Sequence, residues 1–311
     1  MLKSIRLNSL FGIYDYTLDL TPEQHLYKFI TGPNGYGKST ILRLLNAVYS
    51  SNSEVLASVR FQSMELYYEN QTRILIDQEC SSVQEEGSDE YNSQDVTLKI
   101  RYQFQEYGEW KTNMIVSHSS EEPANSIETQ DLGLYLFFHS HPLYYISDQR
   151  INSPTGEPAI QQCVAKMSDL LKDPEHGGIK DFGQRLDVFK SIIGEMEFAH
   201  KTLEVEARYG FRFISNDSDR TILNVDGLSS GEQHIVIQTF ELLFEAPDDS
   251  LVLIDEPELS FHLAWQMLYL KNLKRIARLR KLQFIIATHS PQIFASQWNL
   301  SIDLYEQSRN L

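Results

Sequence analysis

The chain has 311 residues, of which 41% are hydrophobic and 23% charged, so one large α/β domain can bury its core without disulfide or metal staples. The formal net charge of −16 repels phosphate backbones, so contact with nucleic acid would need a local basic patch or a partner chain. There is no signal peptide, no apolar run of roughly 18–20 residues and no C-x-x-C pair, which excludes a membrane span and a disulfide framework and predicts a cytoplasmic protein.

The first half of the chain reads mainly as strands. Alternating apolar residues in 1–20 predict a hairpin, and the apolar run 26–30 leads into a glycine-rich turn. Residues 39–49 have the periodicity of a helix. Strand-like segments follow at 61–68, 72–78, 96–104 and 110–116, and the acidic stretch 79–93 between them reads as an exposed loop. We therefore expect a β-rich subdomain or insert over 55–130.

The second half alternates helices with short strands. Residues 133–146 are strongly apolar and predict a strand at 143–146, and 158–200 predict a helical hairpin insert broken by a turn at 173–178. The elements expected after it are strands at 202–209, 211–215 and 221–225, a helix near 231–245, a buried strand at 251–255, a helix at 263–280, a buried strand at 283–287 and a last strand near 301–305. This order predicts one α/β domain over 1–311, a mixed central sheet flanked by helices.

The first motif lies between the strand expected at 26–30 and the helix expected at 39–49, and it fits G-x-x-x-x-G-K-[ST]. Its glycines let the backbone curl so that N–H groups face phosphate oxygens, and the following helix adds its positive end. Lys38 supplies a cation to the γ-phosphate, and the Ser39 hydroxyl is a Mg²⁺ ligand. The alternative is a glycine-rich turn that matches by chance. The residues assigned to ATP here are Gly32, Pro33, Asn34, Gly35, Tyr36, Gly37, Lys38, Ser39 and Thr40.

The second motif is the apolar run 251–254, which ends in Asp255 and Glu256. Such a run is typical of a central parallel strand buried on both faces, and ligands bind at the carboxyl edge of such sheets. We expect Asp255 to hold Mg²⁺, directly or through water, and Glu256 to polarise the attacking water. The alternative is a strand that simply ends in an exposed acidic turn, and the phosphate loop favours the catalytic interpretation.

Two further motifs flank the acidic strand. The segment 228–233, LSSGEQ, begins 27 residues before Asp255 and reads as a helix start, with hydroxyl residues and then Glu232 in the first turn. His289 follows 34 residues after Asp255, at the end of a β-rich run. Alone, these segments would be an ordinary capped helix and a structural histidine. The order and spacing of all four motifs carry the functional interpretation.

Together the four motifs resemble those of the ABC-type ATPases: phosphate loop, signature, acidic strand and switch histidine. The sequence looks most like the non-transporter branch, which holds the SMC and double-strand-break-repair heads, the OLD (overcoming lysogenization defect) ATPases and related AAA-labelled defence ATPases. The distinguishing forms are LSSGEQ, DEPELSFH and ATHSPQI. The resemblance covers residues 1–50 and 143–311, and it implies a P-loop NTPase of ABC type with ATP and Mg²⁺ as its ligands.

The resemblance also implies roles for individual residues. Glu256 would be the general base, His289 the sensor of the γ-phosphate, and Lys38 a further catalytic group. Gln149 would belong to the lid loop and reach Mg²⁺ or the attacking water, and a plain loop glutamine is its alternative. The signature residues would contact ATP held by a second subunit, namely Ser229, Ser230, Gly231 and Gln233.

The function implied is ATP hydrolysis coupled to a head-to-tail dimer of the chain around two ATP molecules. Only 22 residues follow His289, so we expect no attached nuclease domain of the OLD type and a separate effector chain, a nuclease or a toxin. The expected role is the sensor or motor subunit of a DNA-related or anti-phage defence system, with nucleic acid as a further candidate partner and no membrane contact.

Two alternatives stay open. One is the nucleotide-binding subunit of an ABC transporter, against which stand the LSSGEQ form and the 111-residue gap between Lys38 and Gln149. The other is an ATP-switched scaffold without catalysis. For contact with phosphate or a partner, the best local candidate in this acidic chain is a basic cluster on the expected helix at 269–282, although a solvated helix face is the ordinary interpretation. Its members are Lys271, Lys274, Arg275, Arg278, Arg280 and Lys281.

Overall fold

The computed structural model describes residues 1–21, 26–82, 94–104, 111–118, 132–147, 158–259, 261–294 and 297–309. The strands are β1 (Leu2–Leu10), β2 (Tyr14–Asp19), β3 (Tyr27–Thr31), β4 (Ser63–Tyr68), β5 (Arg73–Ser82), β6 (Gln94–Gln103), β7 (Lys111–His118), β8 (Leu143–Ile146), β9 (Lys201–Glu206), β10 (Gly210–Ser215), β11 (Ile222–Leu223), β12 (Leu251–Asp255), β13 (Gln283–Ala287) and β14 (Ser301–Asp303). The α-helices are α1 (Lys38–Tyr49), α2 (Ser53–Ser58), α3 (Leu132–Ser140), α4 (Ala159–Lys172), α5 (Phe182–Glu195), α6 (Ser230–Phe240), α7 (Leu263–Arg280) and α8 (Leu304–Ser308), and a π-helical turn, Glu241–Glu245, continues α6.

A parallel sheet of five strands forms the centre, in the order β14-β3-β13-β12-β8. Every residue of β12 and β13 is buried, because both faces of the sheet are covered. In β12, Leu251 and Leu253 enter one hydrophobic core, while Val252 and Ile254 enter the other. This double burial is the reason for the continuous apolar run that precedes the two acids.

An antiparallel sheet, in the order β2-β1-β4-β5-β6-β7, shares one of these cores with α1 and one face of the parallel sheet. Strand β4 shows the alternation of a sheet with one covered face, since Met64 and Leu66 are buried and Glu65 between them is half-buried. Strands β4 to β7 lie within 55–130 and extend the sheet that β1 and β2 begin. The division of the chain into a main domain and two inserts stays a prediction.

The opposite face of the parallel sheet is covered by α4, α5, α6 and α7, which share the second core. Helices α4 and α5 flank the turn expected at 173–178, and a small antiparallel sheet, β11-β10-β9, follows them. Helix α4 approaches β10 very closely, because a Cβ on Gly210 would lie 2.0 Å from the carbonyl oxygen of Val164. Only glycine fits at that position.

The α/β fold class is confirmed, but the prediction of a mixed central sheet was wrong, because all described strand pairs of that sheet are parallel and the antiparallel pairs lie in separate sheets. Two local predictions were wrong. Strand β5 continues to Ser82, into the stretch 79–93 that was expected to be a loop, because these residues pair with β6. The last strand ends at Asp303, not near residue 305. The Asp303 carboxylate accepts the N–H groups of Tyr305 and Glu306 at 2.8 and 3.4 Å, and this cap begins α8 instead. Within the described ranges, no helix combines the length and the apolar character needed to cross a membrane.

Candidate nucleotide-binding site

The phosphate loop joins the carboxyl end of β3 to the N-terminus of α1. Gly32, Gly35 and Gly37 have φ angles of +139°, +87° and +90°, a region that favours glycine. Gly37 is the N-cap of α1 and provides no side-chain acceptor for the first amides of the helix. The curled loop and the N-terminus without a side-chain cap form a cradle suited to phosphate oxygens.

Lys38 is the central cation of the site and is only 5% exposed. Its Nζ donates to the carbonyl oxygens of Gly32 and Pro33 over 2.9 and 3.2 Å, and it lies 3.4 Å from Nδ1 of His289. Burial lowers the pKa of Lys38, and nearby carboxylates, chiefly Glu256, act in the opposite direction. An ammonium group has three donors, so a phosphate oxygen would replace at least one of these contacts.

Ser39, in the first turn of α1, meets the end of β12. Its Oγ donates to Oδ1 of Asp255 over 3.0 Å, and Asp255 is 5% exposed. A hydroxyl and a carboxylate this close together are the hard oxygen donors that Mg²⁺ takes beside a nucleotide. The pair fits a magnesium site. The third expected ligand, Gln149, lies outside the described residues.

Glu256 and His289 face each other across the carboxyl ends of β12 and β13. Oε1 of Glu256 lies 3.2 Å from Nε2 of His289, and Glu256 has a φ of +43°, which is uncommon for a residue with a side chain. Because Lys38 can only donate, Nδ1 of His289 must accept in their contact. In the neutral ring the proton is therefore on Nε2, directed at Glu256. The contacts join Lys38, His289 and Glu256 in one chain.

A second carboxylate, Glu258, holds the turn that carries His289. Its Oε1 accepts three hydrogen bonds, from Thr288 Oγ1 at 2.8 Å, from the N–H of His289 at 2.7 Å and from the N–H of Ser290 at 3.2 Å. In the sequence, Glu258 falls within the motif DEPELSFH and has no predicted role of its own. The sequence feature that could have indicated its role is its position two residues after Glu256, which puts both carboxylates on the same loop.

The signature segment forms the N-terminus of α6 and is closed by a capping box. Ser229 Oγ accepts the N–H of Glu232 at 3.3 Å, and the Glu232 carboxylate accepts the N–H of Ser229 at 2.8 Å. Lys201 donates to the same carboxylate over 2.6 Å. Burial acts to raise the pKa of Glu232, but the bonds from Lys201 and Ser229 outweigh it and lower that pKa below its ordinary value.

The remaining signature residues do not join the cluster around Lys38. Ser230 is exposed, Gly231 is buried behind it, and Gln233 Nε2 donates to the carbonyl oxygen of Leu228 over 3.0 Å. The predicted site residues therefore form two groups within one chain. Those of the phosphate loop, acidic strand and switch turn meet, whereas the signature residues bond within their own turn.

Two aromatic residues, Tyr14 and Phe11, lie beside the phosphate loop. Tyr14 stacks on Tyr16 with ring centroids 5.6 Å apart and contacts Tyr36 at 5.4 Å, so it packs within the hairpin. Phe11 is 40% exposed, and its ring lies 3.4 Å from the position of a Cβ on Gly37. Of these residues, Phe11 is the one left open at the edge of the cradle.

The basic cluster on α7 is largely engaged within the molecule. Lys271 and Arg275 pair with Glu195 over 2.7 and 2.6 Å. Arg280 is buried and pairs with Asp248 over 2.8 Å. These partners remove much of the positive charge that a phosphate backbone would require.

The fold and the site together define a P-loop nucleotide-binding domain, with a phosphate loop, an acidic parallel strand and a histidine at one edge of the sheet. In a scan of protein families, the one described as "AAA domain, putative AbiEii toxin, Type IV TA system" matches residues 101–295. The chain belongs to this family. A search of curated proteins found no match.

Among solved structures, the chain is similar to heads of SMC proteins. One is an SmcHead bound to the C-winged helix domain of ScpA, with 15% identity, a TM-score of 0.48, and coverage of 94% of this chain and 91% of that one. The SMC head domain from Thermotoga maritima has 15% identity, a TM-score of 0.44 and coverage of 96% and 92%. An Smc head bound to the C-terminal domain of ScpA, derived from Pyrococcus furiosus, has 13% identity, a TM-score of 0.45 and coverage of 94% and 91%. At these values the neighbours define neither partners nor activity for this chain.

Proposed function

We propose that this protein hydrolyses ATP to ADP and phosphate with Mg²⁺, and that ATP closes two copies of the chain head to tail. The observation that carries the proposal is the convergence of Lys38, Ser39, Asp255, Glu256 and His289 at one edge of the parallel sheet. These residues come from three separate segments of the chain, and their chemistry matches the needs of phosphoryl transfer to water.

Each of the converging groups has a distinct role in the proposal. Lys38 and the loop amides bind the phosphates and stabilise the charge that develops there. Ser39 and Asp255 would hold Mg²⁺, which when bound neutralises charge on the phosphate oxygens. Glu256 accepts the proton of the attacking water, and His289 orients that carboxylate and contacts the γ-phosphate. Gln149 remains a proposed ligand or water contact from the lid loop.

The signature residues act on a second copy of the chain in this proposal. Ser229 and Ser230 are exposed at the N-terminus of α6, and the positive end of a helix suits a phosphate. Within one chain, Ser229 bonds to Glu232 of its own turn. A second copy that brings its phosphate loop to this terminus would place ATP between the two, and Gly231 and Gln233 would complete the contact.

Two variants test this function. Lys38→Ala should abolish the rise in melting temperature that Mg·ATP causes, which corresponds to about 2.7 kcal/mol at a ligand concentration 100 times Kd. Glu256→Gln should keep that rise, lose turnover by roughly 10²–10⁴-fold, and accumulate as a dimer in light scattering. The matched controls are Lys190→Ala on α5 and Glu204→Gln on β9. Unchanged ATP stabilisation in Lys38→Ala would contradict the assignment of the phosphate loop.

For the biological role, we propose a sensor or motor subunit in a DNA-related or anti-phage defence system with a separate effector chain. The family description, which names a toxin and a toxin–antitoxin system, supports this direction. The competing functions are the nucleotide-binding subunit of a transporter and a scaffold that ATP switches without turnover. The presence of Glu256 beside His289 favours a hydrolase over the scaffold.

The partner can be identified by capturing Glu256→Gln from its native cells with Mg·ATP, followed by mass spectrometry. A soluble nuclease, a toxin or bound nucleic acid that is absent from a parallel capture with Lys38→Ala would support the defence role. A membrane permease would contradict it and make the chain a transport ATPase. Measurable ATP turnover by the purified wild-type protein would exclude the passive scaffold.

A further inference from the structure

The turn after β13 is held by a side chain on the loop after β12. Glu258 lies on the loop after β12, and its Oε1 accepts from Thr288, His289 and Ser290, which are consecutive residues. Thr288 is fully buried, and its amide donates to the carbonyl oxygen of Ile30 over 3.1 Å. One carboxylate oxygen therefore accepts a hydrogen bond from each of these three residues.

We propose that Glu258 is the positioning residue for His289: it sets the backbone from which the imidazole reaches both Lys38 and Glu256. This inference rests on the proposed ATPase function. The three hydrogen bonds of Glu258 go to residues 288–290, and its charge acts on Lys38 at longer range, so we assign it a positioning role and not a catalytic one. In this proposal, Glu258 is the group that determines where the imidazole of His289 points.

The geometry explains why the position of the turn matters. The His289 ring bridges two groups, with Nδ1 3.4 Å from Lys38 Nζ and Nε2 3.2 Å from Glu256 Oε1. Both distances are already at the long end for hydrogen bonds, so a small displacement of the turn would break one or both. A carboxylate that accepts backbone N–H groups makes charge-assisted bonds, which hold such a turn more firmly than an amide would.

A double-mutant cycle tests the proposal. Glu258→Gln keeps the shape of the side chain but removes the charge, and a displacement of about 1 Å in a positioned group lowers turnover by up to roughly 10²-fold. We expect Glu258→Gln to lower kcat by about 10- to 100-fold with little change in KM for ATP. In a His289→Ala background the same change should lower kcat by less than about twofold, because the residue through which it acts is gone.

The control and a second variant separate positioning from general stability. Glu204→Gln removes a carboxylate that also accepts several bonds, from Arg212 and Arg220 on the small sheet, and it should leave kcat unchanged. Should Glu258→Gln fail to fold, Thr288→Val removes one of the three donors and should show a weaker form of the same dependence on His289. An equal loss of kcat with and without His289 would overturn the proposal.

A spectroscopic measurement distinguishes failure of this inference from failure of the proposed function. The imidazole signal of His289, assigned by its absence in His289→Ala, should shift in the NMR spectrum of Glu258→Gln without nucleotide and stay in place in Glu204→Gln. If wild-type protein shows no turnover, the ATPase proposal fails while this signal still reports on positioning. An unmoved His289 signal would overturn the positioning role whatever the turnover.

Discussion

At the scale of single residues, the phosphate loop depends on backbone freedom as much as on Lys38. Gly37 has a φ of +90°, and a Cβ there would lie 2.7 Å from Leu10 Cδ2 and 3.4 Å from the Phe11 ring. The conformation therefore disfavours a side chain, and a Cβ would also force the buried Leu10 side chain to move. Gly35 has a similar φ of +87° but no heavy atom within 4 Å of its Cβ position, so there only the conformation selects glycine.

We predict that Gly37→Ala destabilises the protein by about 2 kcal/mol or more, because strain in the left-handed region adds to a close contact in a packed core. The same variant should lose most of its stabilisation by Mg·ATP. Urea unfolding with and without nucleotide measures both effects. Gly183→Ala is the matched control, since Gly183 lies exposed on α5 with open space around it, and alanine there should be neutral or stabilising by up to about 1 kcal/mol. Equal stability of the two variants would contradict the prediction.

At the scale of elements, the end of the signature helix is joined to the strand that carries the acids. Two buried arginines, Arg185 on α5 and Arg280 on α7, have side chains that are 5% and 3% exposed, and both pair with Asp248 just before β12. They also donate to the carbonyl oxygens of Leu243 and Leu242, at 3.0 and 2.8 Å, in the π-helical turn after α6. This arginine pair and its carboxylate connect three helices to the start of β12.

We predict that Asp248→Asn lowers the free energy of unfolding at pH 7 by about 3 kcal/mol, because two buried cations lose their counter-charge. Burial acts to raise the pKa of Asp248, but Arg185 and Arg280 outweigh it and hold that pKa below its ordinary value. The folded pKa is therefore below the unfolded value of about 3.9, so the contribution is present above that pH and is lost as the pH falls below it.

Urea unfolding between pH 7 and pH 3 checks this prediction. The difference between wild type and Asp248→Asn should be constant at neutral pH and should narrow as the pH falls below about 4. Asp187→Asn, on an exposed position of α5, is the matched control and should stay within about 0.5 kcal/mol of wild type. A loss of less than about 1 kcal/mol at pH 7 would show that the arginines do not depend on this carboxylate.

At the scale of the whole molecule, the proposed closure of two copies must overcome the repulsion between chains that each carry a net charge of −16. Short-range apolar contact can supply the attraction. Leu259, on the loop after the acidic strand, is 42% exposed, and Leu263 and Met267, one helical turn apart on α7, are 57% and 64% exposed. Leu263 and Met267 share one face of α7, and Leu259 lies three residues after Glu256 in the chain, so exposed apolar side chains follow the acidic strand.

We predict that Leu263→Glu, combined with Glu256→Gln, raises the dissociation constant of the ATP-dependent dimer by about tenfold or more, because a charge would enter the contact. Light scattering over a concentration series with Mg·ATP measures this constant. The melting temperature of the monomer should hardly change, since Leu263 is exposed. Ile222→Glu, 59% exposed on the small sheet, should leave the dimer intact. Equal weakening by both variants would assign the effect to added charge alone.

Much of the architecture could be predicted from the sequence because its signals are local. The apolar runs that become β12 and β13, and the helical periodicity of α1 and α7, arise from burial on one or both faces of each element. The phosphate loop is recognisable because one curled backbone needs its glycines at set positions. The order of the four motifs indicated an ABC-type domain, and the convergence of Lys38, Asp255 and His289 follows from parallel strands that end at one edge.

Only the tertiary structure decided which residues that are far apart in the chain make contact. Glu258 with residues 288–290, and Asp248 with Arg185 and Arg280, have no periodic pattern that would connect them in advance. The basic residues of α7 read as a surface patch, yet Arg280 is buried, because a helical face can be covered by another part of the chain. Local sequence determines which residues carry charge or curl the backbone; packing of distant segments determines which of them meet, and therefore which carboxylate holds the switch histidine.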